Sequence, residues 1–254
     1  MGSDGMFLTH TTSLFFDAVL TLAYPQVCLN CGLSVEARAL GVACEECWRA
    51  TRIFTDDQTV CWKCGVLAGG DISMEKREQV RCRRCDPQPF TAARACGVYE
   101  GALRECVLAL KRQPYLPHRL ADLLAETAQR KPLQQSTRIV PVPLHPQRES
   151  ARGFNQALVI ARALSKAVRL PVDEVSLMRT AHSERYRAGL DAKGRQATIE
   201  NAFAVRYPRL VIGESMLLVD DVFTTGATVS SCAEVLIAAG ARDVFVLTIA
   251  RPSW

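Results

Sequence analysis

No Lys or Arg precedes Arg38, so the positively charged start of a secretory signal is missing. Nor does any apolar run reach the roughly 20 residues that a membrane-spanning helix needs. Leu14–Tyr24 is interrupted by Asp17, and Met216–Val219 runs straight into two aspartates. The expected compartment is therefore the cytoplasm, with no transmembrane segment. Aromatic residues make up 7% of the chain, too few to display a stacking platform for single-stranded nucleic acid. The G-x-x-x-x-G-K-[ST] pattern of nucleotide-triphosphate loops does not occur, nor does the G-x-G-x-x-G fingerprint of dinucleotide folds. Low-complexity tracts are missing too. With 48% hydrophobic residues in 254, the chain can bury a substantial core, which excludes disordered and fibrous classes.

What the sequence has in excess is cysteine, at eleven residues. A reducing compartment disfavours disulfides and leaves metal binding or inert burial. Eight of the eleven fall into C-x-x-C pairs: Cys28/Cys31, Cys44/Cys47, Cys61/Cys64 and Cys82/Cys85. Two residues between thiolates let one tight knuckle present both sulfurs to a tetrahedral ion. Twelve residues separate Cys31 from Cys44 and seventeen separate Cys64 from Cys82. The second spacing is that of a four-cysteine zinc site and the first is slightly tighter. Sequential pairing predicts two closed, structural zinc sites. Sulfur ligands also suit an iron–sulfur cluster, and a C-x-x-C can be a redox pair, although none of these follows the strand-then-helix pattern of one. Cys96, Cys106 and Cys232 sit on apolar faces and read as small buried hydrophobes.

Charge and cysteine are both unevenly distributed. Residues 1–90 carry a formal −2 and eight cysteines, residues 91–254 a formal +7 and three. The composition changes near Pro87–Phe90, where a domain boundary is expected. Beyond it, strands are expected at Ala92–Tyr99, Arg138–Val142, Met216–Val219 and Asp243–Ala250. Helices are expected at Ala102–Arg112, Gln156–Val168 and Ala227–Ala239, with apolar residues at helical spacing, and at His118–Arg130. Alternating strands and helices predict an α/β fold with a parallel sheet.

The sharpest chemistry lies in Met216–Cys232, MLLVDDVFTTGATVSSC. Here an apolar strand leads to Asp220 and Asp221, a hydroxyl-rich turn follows, and Gly226 opens a helix. Backbone N–H groups at a helix start bind phosphate, and Thr224, Thr225 and Thr228 add hydroxyl donors. Two carboxylates at a strand's carboxyl end suit ribose hydroxyls or a hydrated Mg²⁺. A threonine-capped helix after an acidic strand end is the plainer reading of the same residues.

This string resembles the 5-phosphoribosyl-1-pyrophosphate (PRPP) motif of type I phosphoribosyltransferases. The resemblance gives Asp220 and Asp221 the ribose hydroxyls, and Thr224, Thr225, Gly226, Ala227 and Thr228 the 5′-phosphate. Val140-Pro141-Val142-Pro143, Arg148 and Arg152-Gly153-Phe154-Asn155-Gln156, following the C-x-x-C pairs, are similar to the pattern of the ComF (competence protein F) family. Ala109-Leu110-Lys111 fits it as well. Residues 1–24 are expected to form an N-terminal amphipathic helix, and the resemblance implies 25–90 as a double zinc ribbon and 91–254 as a phosphoribosyltransferase-like domain. It places Arg148, Arg152 and Lys111 among the PRPP-binding residues, the two arginines near the diphosphate, with Mg²⁺ bound alongside PRPP. Arg179–Phe203 resembles the loop that covers PRPP. There Arg195, Asn201, Ala202 and Phe203 match, while Arg187 and Thr198 depart from the usual Gln and Asn.

Asp220, Asp221 and Arg195 are the catalytic candidates, and whether pentosyl transfer occurs is left open. Thr224 stands where purine-salvage relatives carry an Asp that serves as acid and base, and no salvage hood is evident. The family resemblance implies support of DNA uptake in natural transformation, with single-stranded DNA and a DNA-uptake helicase as partners at the inner face of the membrane. A nucleotide-salvage transferase with an unidentified acceptor is the alternative.

Overall fold

The computed structural model describes residues 24–69, 72–180 and 202–253. The helix expected over residues 1–24 lies outside these but for Tyr24, as do Arg187, Arg195, Thr198 and Asn201. Six strands are present among them: β1 (Ala92–Val98), β2 (Arg138–Pro141), β3 (Leu177–Arg179), β4 (Phe203–Val205), β5 (Ser215–Val222) and β6 (Asp243–Arg251). Four form one sheet in the order β1–β6–β5–β2, with every neighbouring pair parallel. The short β3 and β4 pair antiparallel and set Arg179 opposite Phe203.

The helices are α1 (Glu45–Ala50), α2 (Gly101–Leu110), α3 (His118–Ala128), α4 (Pro146–Arg152), α5 (Gln156–Val168) and α6 (Ala227–Ala238). They explain why β5 shows no polar alternation, since both of its faces are covered. Leu217 and Val219 join Ile139, Phe245, Leu247 and Ile249 beneath α2, α3 and α5. Met216 and Leu218 join Val140, Val244 and Val246 against Val229, Cys232 and Leu236 of α6. The first set is at most 1% exposed, so truncating any one of its Leu or Ile side chains to Ala would cost about 2–5 kcal/mol.

Two turns depend on residue type. Gly153 ends α4 at φ 81°, and Asn155 then caps α5 by accepting from the Ala157 N–H at 2.9 Å. Gly226 stands at φ 82° before α6. A Cβ there would meet the Phe223 ring and the Gln88 amide at 2.8 Å.

The expected strand at Met216–Val219 extends further in the structure. It continues to Val222, with Asp220 registered to Thr248 and Val222 to Ala250 of β6. The long β6 supplies backbone partners that the acidic residues would otherwise lack.

The cysteine-bearing segment is laid against this sheet. The N–H of Phe54 donates to Cys96 O at 2.8 Å, that of Val98 to Arg52 O at 2.9 Å, and that of Ala93 to Lys63 O at 2.6 Å. Cys28, Cys44, Cys47 and Trp48 pack with the α2–α3 side of the core, whereas Cys61, Cys64 and Cys85 pack with the α6 side.

Candidate functional site

Both cysteine groups converge as the spacing predicts. The Sγ atoms of Cys28, Cys31, Cys44 and Cys47 all lie within 4.8 Å of one another, and so do those of Cys61, Cys64, Cys82 and Cys85. Sulfur–sulfur separations are 3.7 Å for Cys28–Cys47, 3.6 Å for Cys31–Cys44, 3.6 Å for Cys61–Cys85, 3.5 Å for Cys64–Cys82 and 3.4 Å for Cys82–Cys85. Four sulfurs about 2.3 Å from one ion in a tetrahedron would be about 3.8 Å apart, so the clusters fit a metal and are too open for disulfides.

Each knuckle is closed by its own backbone. Gly32 N–H donates to Cys28 O at 2.9 Å and Gly65 N–H to Cys61 O at 2.8 Å. Gly65 is obligatory for a second reason, because a Cβ would stand 2.6 Å from Ala93 O. Donors also reach the sulfurs themselves: Asn30 Nδ2 to Cys47 at 3.1 Å and the Cys82 N–H to Cys61 at 3.2 Å. The Cys64 thiol, hydrogen-bonded to Cys61, holds Cys61 down to about 3 and is itself pushed up in return. One pair does open a helix, since Cys44 caps α1, but it closes on Cys28 and Cys31 and no strand leads into it. Cys96, Cys106 and Cys232 are buried outside both groups, as the sequence predicts.

At the carboxyl edge of the sheet, β5 delivers Asp220 and Asp221 side by side. The Asp221 N–H donates to Asp220 Oδ1 at 2.8 Å. Loss of water, and then the neighbouring Asp221 carboxylate, raise Asp220 to about 7. Lys111, at the end of α2, meets Asp221 Oδ2 at 3.1 Å. Two crowded carboxylates with one ammonium between them and solvent form a site that favours cations and hydroxyl donors. Thr224 and Thr225 are exposed in the following turn, Gly226 is buried, and Ala227 and Thr228 are exposed at the first turn of α6.

Arg148 and Arg152 lie on α4, just beyond β2. Because β2 runs parallel to β5, with Val142 N–H on Val219 O at 3.0 Å, the chain leaving β2 emerges at the same edge as the acid pair. Arg148 is exposed, and Arg152 donates to Gln156 Oε1. Arg195 lies outside the described residues.

Sequence reasoning misses Arg251. This residue closes β6 at 6% exposure, stacks its guanidinium 5.3 Å from the Phe223 ring centre, and donates from one nitrogen to Cys64 O. Only the sheet's topology brings residue 251 to residue 64.

A parallel β1–β6–β5–β2 sheet flanked by helices, with an acid pair and a Gly226-started helix at one carboxyl edge, defines a phosphoribosyltransferase-like α/β fold preceded by two four-cysteine clusters. No family model matches the chain. DNA utilization protein YhgH of Escherichia coli K12 is 32% identical over 238 residues, covering 91% of this chain and 99% of that protein. Competence protein ComFC of Bacillus subtilis is 26% identical over 80% of this chain and 89% of its own length. Competence protein F of Haemophilus influenzae is 34% identical over 44% of this chain and 49% of its own length. The chain belongs to the ComF family. Among solved structures, a glutamine PRPP amidotransferase of B. subtilis has a TM-score of 0.39 at 17% identity, over 56% of this chain and 30% of that one. A purine phosphoribosyltransferase of Pyrococcus horikoshii has a TM-score of 0.33 at 15% identity, over 53% and 82%. Among the described residues, no helix is long and apolar enough to cross a membrane.

Proposed function

We propose that this protein binds PRPP with Mg²⁺ at the Asp220–Thr228 edge, holds one Zn²⁺ in each cysteine cluster, and supports DNA uptake and use, the role that the names of its relatives carry. The observation behind the reading is the juxtaposition at one sheet edge of Asp220, Asp221, Lys111 and the Thr224–Thr228 turn. Ribose hydroxyls suit the crowded carboxylates, and a phosphate suits the open first turn of α6. Mg²⁺, when bound with the diphosphate, neutralises its charge and relieves the repulsion that raises Asp220. Arg148 and Arg152 are the cations on the diphosphate side, where a guanidinium fork grips two oxygens. Zinc is favoured for the clusters because closed sets of four thiolates at these spacings are its ordinary structural sites. The formal +7 of residues 91–254 favours contact with the phosphates of a DNA strand.

The test is a double substitution, Asp220→Ala with Asp221→Ala, read in two ways. Calorimetry should show PRPP–Mg²⁺ binding to the parent and none to the variant. In a transformable host that depends on this protein, the same allele should lower transformation frequency. Equal PRPP affinity in parent and variant refutes the site; unchanged transformation with PRPP binding lost separates the ligand from the role in uptake. Authentic pentosyl transfer is the second reading, favoured by a cavity of about 540 Å³ beside Thr224 and Thr225 with room for an acceptor.

A further inference from the structure

A second cavity, of about 420 Å³, shares no lining residue with the acid-pair edge: none of Lys111, Asp220, Asp221 or residues 224–228 borders it. One wall is the cysteine-bearing segment from Phe54 to Trp62, and the other is Arg94 and Ala95 of β1 with the turn that follows α3. The segment is fastened to β1 at both ends of this gap. Phe54 N–H donates to Cys96 O at 2.8 Å, and Ala93 N–H donates to Lys63 O at 2.6 Å.

The charge of the cavity is balanced from within. Four cations line it, and each has a partner in the protein. Arg130 pairs with Asp56 at 2.9 Å and Lys131 with Glu78 at 3.6 Å. Arg77 donates to Ile72 O at 3.3 Å and to Asp56 O at 3.0 Å. Arg94, at 8% exposure, donates to the carbonyls of Trp62 and Ala93 at 2.8 Å and of Lys131 at 3.1 Å. An anion would have to compete for these groups, whereas an uncharged ligand leaves every pair in place.

The remaining lining is apolar or amide. Phe54, Val60 and Ala95 offer hydrocarbon, and the Arg94 guanidinium lies 5.2 Å from the Trp62 ring centre. Three carbonyls fix Arg94, and Trp62 is held by its own N–H on Val80 O at 2.8 Å. That stack is therefore set before a ligand arrives, which lowers the ordering cost of binding. Gln129 and Gln134 are exposed and make no side-chain hydrogen bond among the described residues. Gln58 accepts at Oε1 from Thr55 N–H at 3.3 Å and keeps its Nε2 donor.

We propose that this cavity binds a nucleobase, a flat uncharged heterocycle with apolar faces and a rim of donors and acceptors. The faces suit Phe54 and the Trp62–Arg94 stack. The rim suits Gln58, Gln129 and Gln134, since an amide offers a donor and an acceptor in one plane. The volume is in the range of small-molecule sites, which favour places where two parts of a fold meet. The site is separate from the PRPP reading and does not require it. A free nucleoside and a base of a single strand present the same ring.

The experiment uses the zinc-loaded full chain with adenosine and thymidine as probes, which carry no phosphate. Calorimetry should show saturable binding of at least one to protein saturated with PRPP–Mg²⁺. Trp62→Ala should weaken it roughly tenfold, and Trp62→Phe should keep most of it. Gln129→Ala with Gln134→Ala, both at exposed positions, should weaken it about fivefold and serves as the deciding variant if Trp62→Ala loses its zinc. AMP should match adenosine within about twofold, because every cation in the wall is already paired. Binding of neither nucleoside, equal affinity in the zinc-loaded variants, displacement by PRPP, or much tighter binding of AMP than of adenosine overturns the proposal. Should PRPP itself not bind, the nucleosides titrated alone into parent and variants still read the cavity, so the two ideas fail separately. Oligodeoxyadenylate and an abasic strand of equal length identify the source. Displacement of the nucleoside by the base-bearing strand alone supports a strand, and displacement by neither supports the free nucleoside.

Discussion

Asp220→Asn should stabilise the ligand-free protein and, on the proposed reading of the site, weaken PRPP–Mg²⁺ binding. In the folded chain the Asp220 carboxyl titrates at about 7, against about 3.9 for an unfolded aspartate. A folded pKa raised above the unfolded one means that the folded state binds more protons, so stability falls as pH rises between the two values. The effect is absent below the unfolded pKa and complete above about pH 7. Three pKa units correspond to about 4 kcal/mol at pH 8. Asp220 keeps part of its surface in water, and solvent screening brings the expected gain from Asn to roughly 2 kcal/mol. Asn retains the oxygen that accepts the Asp221 N–H, and it removes the charge that repels the Asp221 carboxylate.

The assay is thermal unfolding of parent and variant without ligand, from pH 6 to 8.5, with zinc content checked at each end. At pH 8 the variant should melt roughly 4–8 °C higher, given about 2–4 °C per kcal/mol for a chain near this size. The gap should narrow as the pH is lowered toward 6. A variant that melts at or below the parent at pH 8, or a gap independent of pH, would show that the acid pair is not strained in the free protein. A carboxylate pair held near its titration point without ligand is what a site awaiting a cation and hydroxyls would look like.

Two further outcomes follow from the packing and the thiols. Elemental analysis should find about two zinc ions per chain, one for each four-thiolate site. Cys64→Ser should lower this to about one, and a single ion in the parent would refute the two-cluster assignment. Gly97→Ala should destabilise by about 3 kcal/mol in urea melts, because a Cβ there would stand 2.3 Å from Arg52 O and 2.7 Å from Leu103 Cδ1. Wild-type stability in that variant would mean the 52–54 segment does not lie against β1 in solution.

Much of this was legible in the amino-acid order, and the reason differs by element. The helix over Gln156–Val168 could be read to the residue because Asn155 caps it and Ile160 and Leu164 keep helical spacing. The two groups of four cysteines were legible because knuckle chemistry is local. The three-residue β3 and β4 carry too short a pattern for any period to show, and α4 was hidden in a stretch that read as binding motif. Gly153 and Asn155 of that motif turn out to be the stop of one helix and the cap of the next. The Lys111–Asp221 pair and the burial of Arg251 against Phe223 were invisible for a different reason. One joins residues more than a hundred positions apart and the other joins the end of β6 to the turn after β5, and no local pattern encodes either.

The same long-range placement shows what the cysteine segment does for the sheet. In the order β1–β6–β5–β2 the two outer strands have one open side each, and an unpaired strand edge invites association with other chains. The β2 edge is covered by residues 171–173, where Ile139 N–H donates to Pro171 O and Asp173 N–H to Ile139 O. The β1 edge is covered by residues 52–54 and 63. Residues 52–54 follow α1 and Lys63 sits within the Cys61–Cys64 knuckle, in a stretch with little regular structure of its own. Metal in the clusters on either side of that stretch would hold it in place, with one cluster packed on each face of the sheet. Stripping the metal should therefore expose the backbone of β1 first. Hydrogen exchange at Ala93 and Val98, whose N–H groups donate to Lys63 O and Arg52 O, should rise on chelation while exchange at Leu218 in the central β5 stays slow. A uniform rise across both strands would mean that the clusters hold up the whole core, and no rise at β1 would mean that its edge is held without them.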